Sequence, residues 1–277
     1  MSMGIKRLLQ KSIGWDRKSD LAKELTRYRA YSLVARAIAL LPIPLWVLLR
    51  ASRSSKERSG WHSYGHTYEQ LFRRWKYRRV KLLEVGIGGY DEALGGRSLL
   101  AWLAYFPFGT IIAGDIQPKQ ELAGNRRRIY QLDQSSAKDL AALCLREERF
   151  DLIIDDGSHV NAHQIFTFQQ LFHALSDGGV YVVEDVQTSF WPFWPDSAGN
   201  VPWDGARIGD PSFRQTCYGY FLELTKYLNH VEFIDQHGVD ESMLLLGTQI
   251  TRITFEHNLI IVLKGDNSRR SAFIKNG

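Results

Sequence analysis

The sequence predicts an α/β protein: a mostly parallel sheet that closes with an antiparallel hairpin and is preceded by a basic helical arm. Three observations predict it. Short apolar runs alternate with stretches of helical length from residue 80 to residue 183, the rhythm of a parallel sheet with helices on both faces. A polar or glycine-rich turn follows each of five such runs in succession. Near the C-terminus, "ITRITFEHNLIIVLKG" (residues 250–265) alternates and doubles back at His257-Asn258, as a hairpin does.

The arm comes first along the chain. Residues 1–60 hold 13 Lys/Arg against 4 Asp/Glu, and the remainder holds 22 against 26, so the net charge of +5 belongs to the arm. Such an arm suits anionic lipid, nucleic acid or an acidic surface. Residues 30–49 ("AYSLVARAIALLPIPLWVLL") are almost wholly apolar, but Arg36 lies inside the run and Pro42 and Pro44 break its helix. The run starts too late for a cleaved signal peptide. Three readings stay open for residues 30–50: a helix packed on the body or on a second copy in a homo-oligomer, a helix in a membrane interface, or a span. The polar stretch "ASRSSKERSG" (residues 51–60) reads as a loop dividing the arm, residues 1–59, from the body, residues 60–277. Only two cysteines occur, Cys144 and Cys217, which excludes a disulfide scaffold or multi-cysteine zinc site and suits a cytoplasmic, reducing compartment.

In the body, strands are expected over residues 80–85, 110–116, 129–132, 150–154 and 180–183. Helices are expected over residues 98–105, 137–147 and 160–175, and "SDGG" (residues 176–179) reads as a turn. Ligands of such sheets bind beyond the carboxyl ends of the strands. There lie "EVGIGG" with Glu84, Gly86 and Gly88, then Asp115, "LDQS", "DDGSH" and "EDVQTS". A dinucleotide fingerprint would place a third glycine where Asp91 stands. Carboxylates at Glu84 and Asp115 suit a cationic, phosphate-free nucleoside such as S-adenosylmethionine, whose ammonium and ribose hydroxyls they can accept from. A plain tight turn is the alternative for the glycines. For Asp156 alone, a helix cap and a ligand are equally open.

Together "LLEVGIGGYDEALGGRSLLAWLAYFP", "IIAGDI", "DQS", "IDDGSHVNAHQ" and "GGVYVVEDVQTSFWP" resemble the metal-dependent sugar O-methyltransferases of macrolide biosynthesis. The resemblance runs from Gly60 to Trp194, resumes over residues 256–267 and leaves out the arm. It implies a Rossmann-like class I methyltransferase fold, S-adenosylmethionine as methyl donor and Mg²⁺ as cofactor. It implies Asp156, Glu184 and Asp185 as metal ligands, His159 as general base, and Tyr64, Asp133, Gln134 and Asp155 on the cofactor side with Glu84, Gly86, Gly88 and Asp115. The chemistry is coherent: imidazole titrates near neutral pH, and a bound divalent ion acidifies a sugar hydroxyl that imidazole alone could not deprotonate.

The implied acceptor is a glycosylated natural product, glycolipid or polysaccharide, with Gln187, Thr188, Ser189 and "FWPFWP" (residues 190–195) near it. A metal-dependent methyltransferase of catechol-like phenols and a non-catalytic scaffold are the alternatives. The basic-aromatic "RRWKYRR" (residues 73–79) precedes the first strand, away from the ligand face, so no nucleic-acid partner is expected.

Overall fold

The strands are β1 (Lys81–Val85), β2 (Thr110–Asp115), β3 (Arg127–Gln131), β4 (Phe150–Asp155), β5 (Leu175–Glu184), β6 (Ile250–Glu256) and β7 (Leu259–Lys264). They come from a computed structural model that describes residues 17–60, 62–89, 94–193, 204–235 and 237–271. The described residues form one sheet of order β3-β2-β1-β4-β5-β7-β6. β1 to β5 run parallel, and β7 is antiparallel to both β5 and β6. Leu82, Leu83, Ile111, Ile112, Ile153, Ile154, Tyr181 and Val182 are buried on both faces, which is why these strands read as unbroken apolar runs. The order reverses between β1 and β4, and that switch point sets the ligand crevice.

Helices α4 (Arg97–Tyr105), α5 (Ala137–Glu147) and α6 (Asn161–Leu171) cover the sheet, with α7 (Cys217–Leu224) and α8 (Glu241–Thr248) before the hairpin. The helix expected over residues 160–175 ends at Leu171, and a 3₁₀ turn (Phe172–Ala174) leads into β5. The expected "SDGG" turn lies inside β5. Phe150 pairs with Leu175 and Leu152 with Val180, so the intervening residues arch out, with Gly178 at φ 75°.

The arm forms α1 (Arg17–Ile38) and α2 (Leu45–Ala51), and α3 (Gly65–Phe72) follows its loop. Its apolar run is interrupted at the prolines, and among the described residues no helix is long and apolar enough to cross a membrane. Tyr28, Ala35, Leu45, Leu48 and Leu49 join Leu99, Leu100 and Trp102 of α4 in one buried cluster. The Tyr28 hydroxyl donates to the Gly96 carbonyl oxygen at 3.1 Å.

Candidate active site

The crevice begins where β1 ends. Gly86 takes φ +80°, and a Cβ there would collide with the Asp156 carbonyl oxygen. The glycine lets the tips of β1 and β4 close up, with the Asp156 amide donating to Val85 O at 2.8 Å. Beyond these tips lies a cavity of about 450 Å³ whose wall includes Gly86, Gly88, Asp115, Asp133, Gln134 and Asp156. Asp115 accepts from the Ile87 amide at 3.1 Å and the Gln117 amide at 2.9 Å, which fixes its carboxylate at the rim. Hydrogen bonds from Ser135 hold the Asp133 carboxyl below the usual range. Gln134 serves the fold as well as the wall: its Oε1 accepts from the Ser158 amide at 2.6 Å and its Nε2 donates to Asp155 at 3.2 Å.

At the edge of the cavity the β4 and β5 turns meet. Asp156, His159 and Asp185 each offer a ligand atom, and these atoms lie within 4.8 Å of one another. His159 Nε2 stands 3.9 Å from Asp156 Oδ1 and 3.6 Å from Asp185 Oδ2, while its Nδ1 is buried without a hydrogen-bond partner. Both His159 and Asp185 have φ 56°, a left-handed conformation that costs about 1 kcal/mol or more and clusters at functional sites. The Tyr64 hydroxyl donates to Asp185 Oδ1 at 2.8 Å, and His62, stacked on Tyr64, faces the same oxygen at 3.5 Å. Burial and the Asp185 charge push the Tyr64 hydroxyl far above its ordinary pKa, so it stays a donor.

The helix cap open to Asp156 is taken by another residue. Asp204 accepts from the Asn161 and Ala162 amides at 3.0 and 2.8 Å, capping α6 and leaving Asp156 to face the cleft.

Behind the cluster sits a lysine from the stretch with loop composition. Lys56 is 1% exposed, and its Nζ lies 2.6 Å from Asp156 Oδ2, 2.6 Å from Glu184 Oε1 and 3.0 Å from Glu84 Oε1. Burial alone would lower the ammonium's pKa, but the three carboxylates hold it well above its ordinary value. Burial, and next the Asp156 charge, pushes Glu184 up. Tyr68 also donates to Glu184 Oε1.

A second cleft, of about 410 Å³, opens on the other side of Tyr64 and His62. Arg58, Ser63, Thr67, Glu256 and His257 are among its lining residues.

No protein-family model matches the chain. It is 35% identical over 219 residues to the 8-demethyl-8-alpha-L-rhamnosyl tetracenomycin-C 2'-O-methyltransferase of Streptomyces olivaceus, covering 79% of this chain and 54% of the relative. It is 35% identical to the mycinamicin VI 2''-O-methyltransferase of Micromonospora griseorubida, over 74% of this chain and 49% of the relative. Among solved structures, the methyltransferase MycE of the mycinamycin pathway, in complex with Mg and SAH, superposes with a TM-score of 0.73 at 30% identity. That superposition covers 85% of this chain and 58% of MycE. The chain belongs to the macrolide-type sugar O-methyltransferase family. It spans about half the length of the curated relatives it matches.

Within this family's fold, a class I methyltransferase fold, the expected site residues fall into three groups. Gly86, Gly88, Asp115, Asp133 and Gln134 line the cofactor-sized cavity. Asp156, His159 and Asp185 converge beside it. The others stand outside both groups. Tyr64 holds Asp185 from the second cleft. Glu84 is fully buried, accepting from Ser98 at 2.8 Å and Trp102 at 2.9 Å. Asp155 is fully buried beneath Gln134, where burial pushes its carboxyl up to about 7.

Glu184, expected among the ligands, has its Oε1 against Lys56 and Tyr68. Thr188 and Ser189, expected near the acceptor, are buried; Ser189 Oγ donates to Asn161 Oδ1 at 2.6 Å and pins the β5 turn to α6. In the aromatic run, Trp194 and Pro195 lie outside the described residues. His163 also lines the cavity and shares a 2.9 Å hydrogen bond with Ser158.

The sequence signal for Lys56 was only general: several acids at core strand ends call for a cation, either a bound ion or a basic side chain from elsewhere in the chain.

Proposed function

We propose that the chain transfers the methyl group of S-adenosylmethionine to a hydroxyl of a sugar on a glycosylated acceptor, with Mg²⁺ as cofactor. One observation carries the reading. Asp156 belongs both to the wall of the cofactor-sized cavity and to the Asp156–His159–Asp185 cluster, so donor and acceptor chemistry share an edge. Asp115 and the Gly86–Gly88 turn hold the nucleoside. The clustered carboxylates fit a hard divalent ion, with Asp156 and Asp185 as its holders. That ion, when bound, lowers the pKa of the acceptor hydroxyl. His159 takes the hydroxyl proton at Nε2, and the Asp156 and Asp185 carboxylates at 3.9 and 3.6 Å stabilise the imidazolium that results. Tyr64 and His62 keep Asp185 aimed at that imidazole. The acceptor sugar lies toward the cleft of about 410 Å³, whose polar lining suits carbohydrate hydroxyls.

The relatives named for a rhamnosyl tetracenomycin-C and for mycinamicin VI favour a glycosylated natural product as acceptor. The arm adds a site of action: its outward face, with Leu33 and Leu40 exposed, meets an anionic lipid surface where an amphiphilic acceptor collects.

The test is methyl transfer to a panel of rhamnosylated glycosides and of catechols. Transfer to glycosides is expected, abolished by EDTA and restored by Mg²⁺. His159→Ala should lower kcat at least about 100-fold, with S-adenosylhomocysteine affinity unchanged by calorimetry. Transfer confined to catechols, or surviving both treatments, overturns the reading.

A further inference from the structure

The carboxylates at the strand ends form two adjacent cation positions that share Asp156. The outer one lies between Asp156 Oδ1 and Asp185 Oδ2, beside His159. The inner one is bounded by Glu84 Oε1, Asp156 Oδ2 and Glu184 Oε1, and the Lys56 ammonium fills it. We propose that Lys56 is the resident cation of the inner position and thereby confines a divalent ion to the outer one, beside His159. The outer half of this statement rests on the function proposed above; the inner half rests on the lysine alone.

Three features support the assignment. First, the fit is that of an ammonium. The 2.6 Å contacts to Asp156 and Glu184 are N–H···O hydrogen bonds and Glu84 Oε1 is ion-paired at 3.0 Å, whereas Mg²⁺ demands oxygens near 2.0–2.1 Å. Second, the lysine is held in place by its own segment. Tyr64 N donates to Lys56 O at 2.9 Å, Ser54 N to Leu49 O at 3.0 Å, and Gly65 N to Glu57 Oε2 at 3.0 Å. Ser54, Lys56 and Glu57 are all buried, although the stretch reads as a solvated loop. Third, the charge demands it. Glu84 and Glu184 are fully buried or nearly so, and without Lys56 they and Asp156 would form a carboxylate trio with no cation. Such a trio attracts a divalent ion strongly but draws it away from His159. Lys56 is therefore a positioning residue. Its ammonium donates to Asp156 Oδ2 and Glu184 Oε1 and is ion-paired with Glu84 Oε1, so it acts on the outer position through Asp156.

The experiment is a titration with Mn²⁺ alone, free ion counted by electron paramagnetic resonance, without donor or acceptor. Lys56→Met is expected to bind Mn²⁺ at least tenfold tighter than the unsubstituted chain while its methyl transfer falls at least 100-fold. A purely structural role would weaken both together. Lys56→Arg, which keeps a positive charge in the inner position, should stay within threefold of the unsubstituted Mn²⁺ affinity. If Lys56→Met does not fold, the double variant Lys56→Met/Glu84→Gln removes the lysine with one of its buried acids and should show the same tightening.

Unchanged or weaker Mn²⁺ binding in the folded methionine variants overturns the inference and leaves the proposed function standing. An unsubstituted chain that binds no Mn²⁺, with a methionine variant that does, upholds the inner position and defeats the outer one.

Discussion

At the scale of single residues, the two glycines after β1 separate conformational cost from packing cost. Gly86 and Gly88 both have positive φ, +80° and +64°, and an added methyl strains the backbone at either. Only at Gly86 would it also strike backbone, at Asp156 and Gly157 just past β4; around Gly88 there is open space. Gly88→Ala should therefore cost about 1 kcal/mol of stability, whereas Gly86→Ala should cost more. Gly86→Ala should also weaken S-adenosylhomocysteine binding at least about tenfold, because the methyl parts β1 from β4 where the cavity forms. Thermal unfolding and calorimetry on both variants check this, and equal losses would falsify it.

The same scale shows what a sequence can reveal of a site. Asp156, His159 and Asp185 were legible because acids and an imidazole at neighbouring core strand ends have few structural uses. The partition of Asp156 between two cations was not legible. It depends on Lys56, which lies 100 residues away in sequence and arrives in a stretch whose composition is that of a surface loop.

At the scale of elements, the docking of α1 has a pH signature. Tyr28 on α1 is buried against α4, and its hydroxyl donates to Gly96 O. Burial, offset in part by Arg127, pushes its pKa from 10.0 up to about 12. The folded state thus holds the phenol proton that the unfolded chain begins to release near pH 10. The stability tied to this neutral hydroxyl is complete below pH 10 and is lost as the pH rises toward 12, an effect of order 3 kcal/mol. Tyr28→Phe, which cannot ionise, should flatten the stability profile over that window while costing about 1 kcal/mol below it for the lost hydrogen bond. Denaturant unfolding of both proteins at pH 9 and pH 11 reads this out. A parallel decline in the two would place the alkaline sensitivity elsewhere.

Elements were the most legible level. The five parallel strands and the hairpin follow from apolar runs and turn residues. The extent of β5 did not, because the arched residues 176–179 have turn composition but are flanked by paired residues on both sides.

At the scale of the whole molecule, charge and apolar exposure fall together on the arm. One side of α1 is buried through Tyr28, Ser32 and Ala35, and Ala39 just past its end is buried too. At 100° per residue the opposite side carries Ala30, Leu33, Val34 and Ala37, and all four are exposed. Leu33 is 66% exposed, and beyond the helix end Leu40 is 65% and Leu41 51% exposed, before the proline turn. Exposed Arg29 and Arg36 edge this stripe on one side and Arg27 on the other. A two-fold contact between copies through the stripe would set arginine edges against each other, because such interfaces pair a patch with itself. An anionic bilayer would accept both parts, the leucines in the acyl boundary and the guanidiniums at headgroup phosphates. On an anionic surface, the net +9 of residues 1–60 beside the −4 of the remainder would turn the chain with its arm toward that surface.

The full chain should therefore float with phosphatidylglycerol-containing vesicles, release as salt rises, and stay behind with phosphatidylcholine alone. Leu33→Asp with Leu40→Asp should abolish flotation without changing S-adenosylhomocysteine affinity, since neither side chain is buried or near the cavity. Equal flotation of the double variant, recovery on neutral vesicles, or a dimer that the aspartates dissociate would each rule out an anionic membrane as the partner of the stripe. The last result would give the stripe to a second copy of the chain despite its arginine edges.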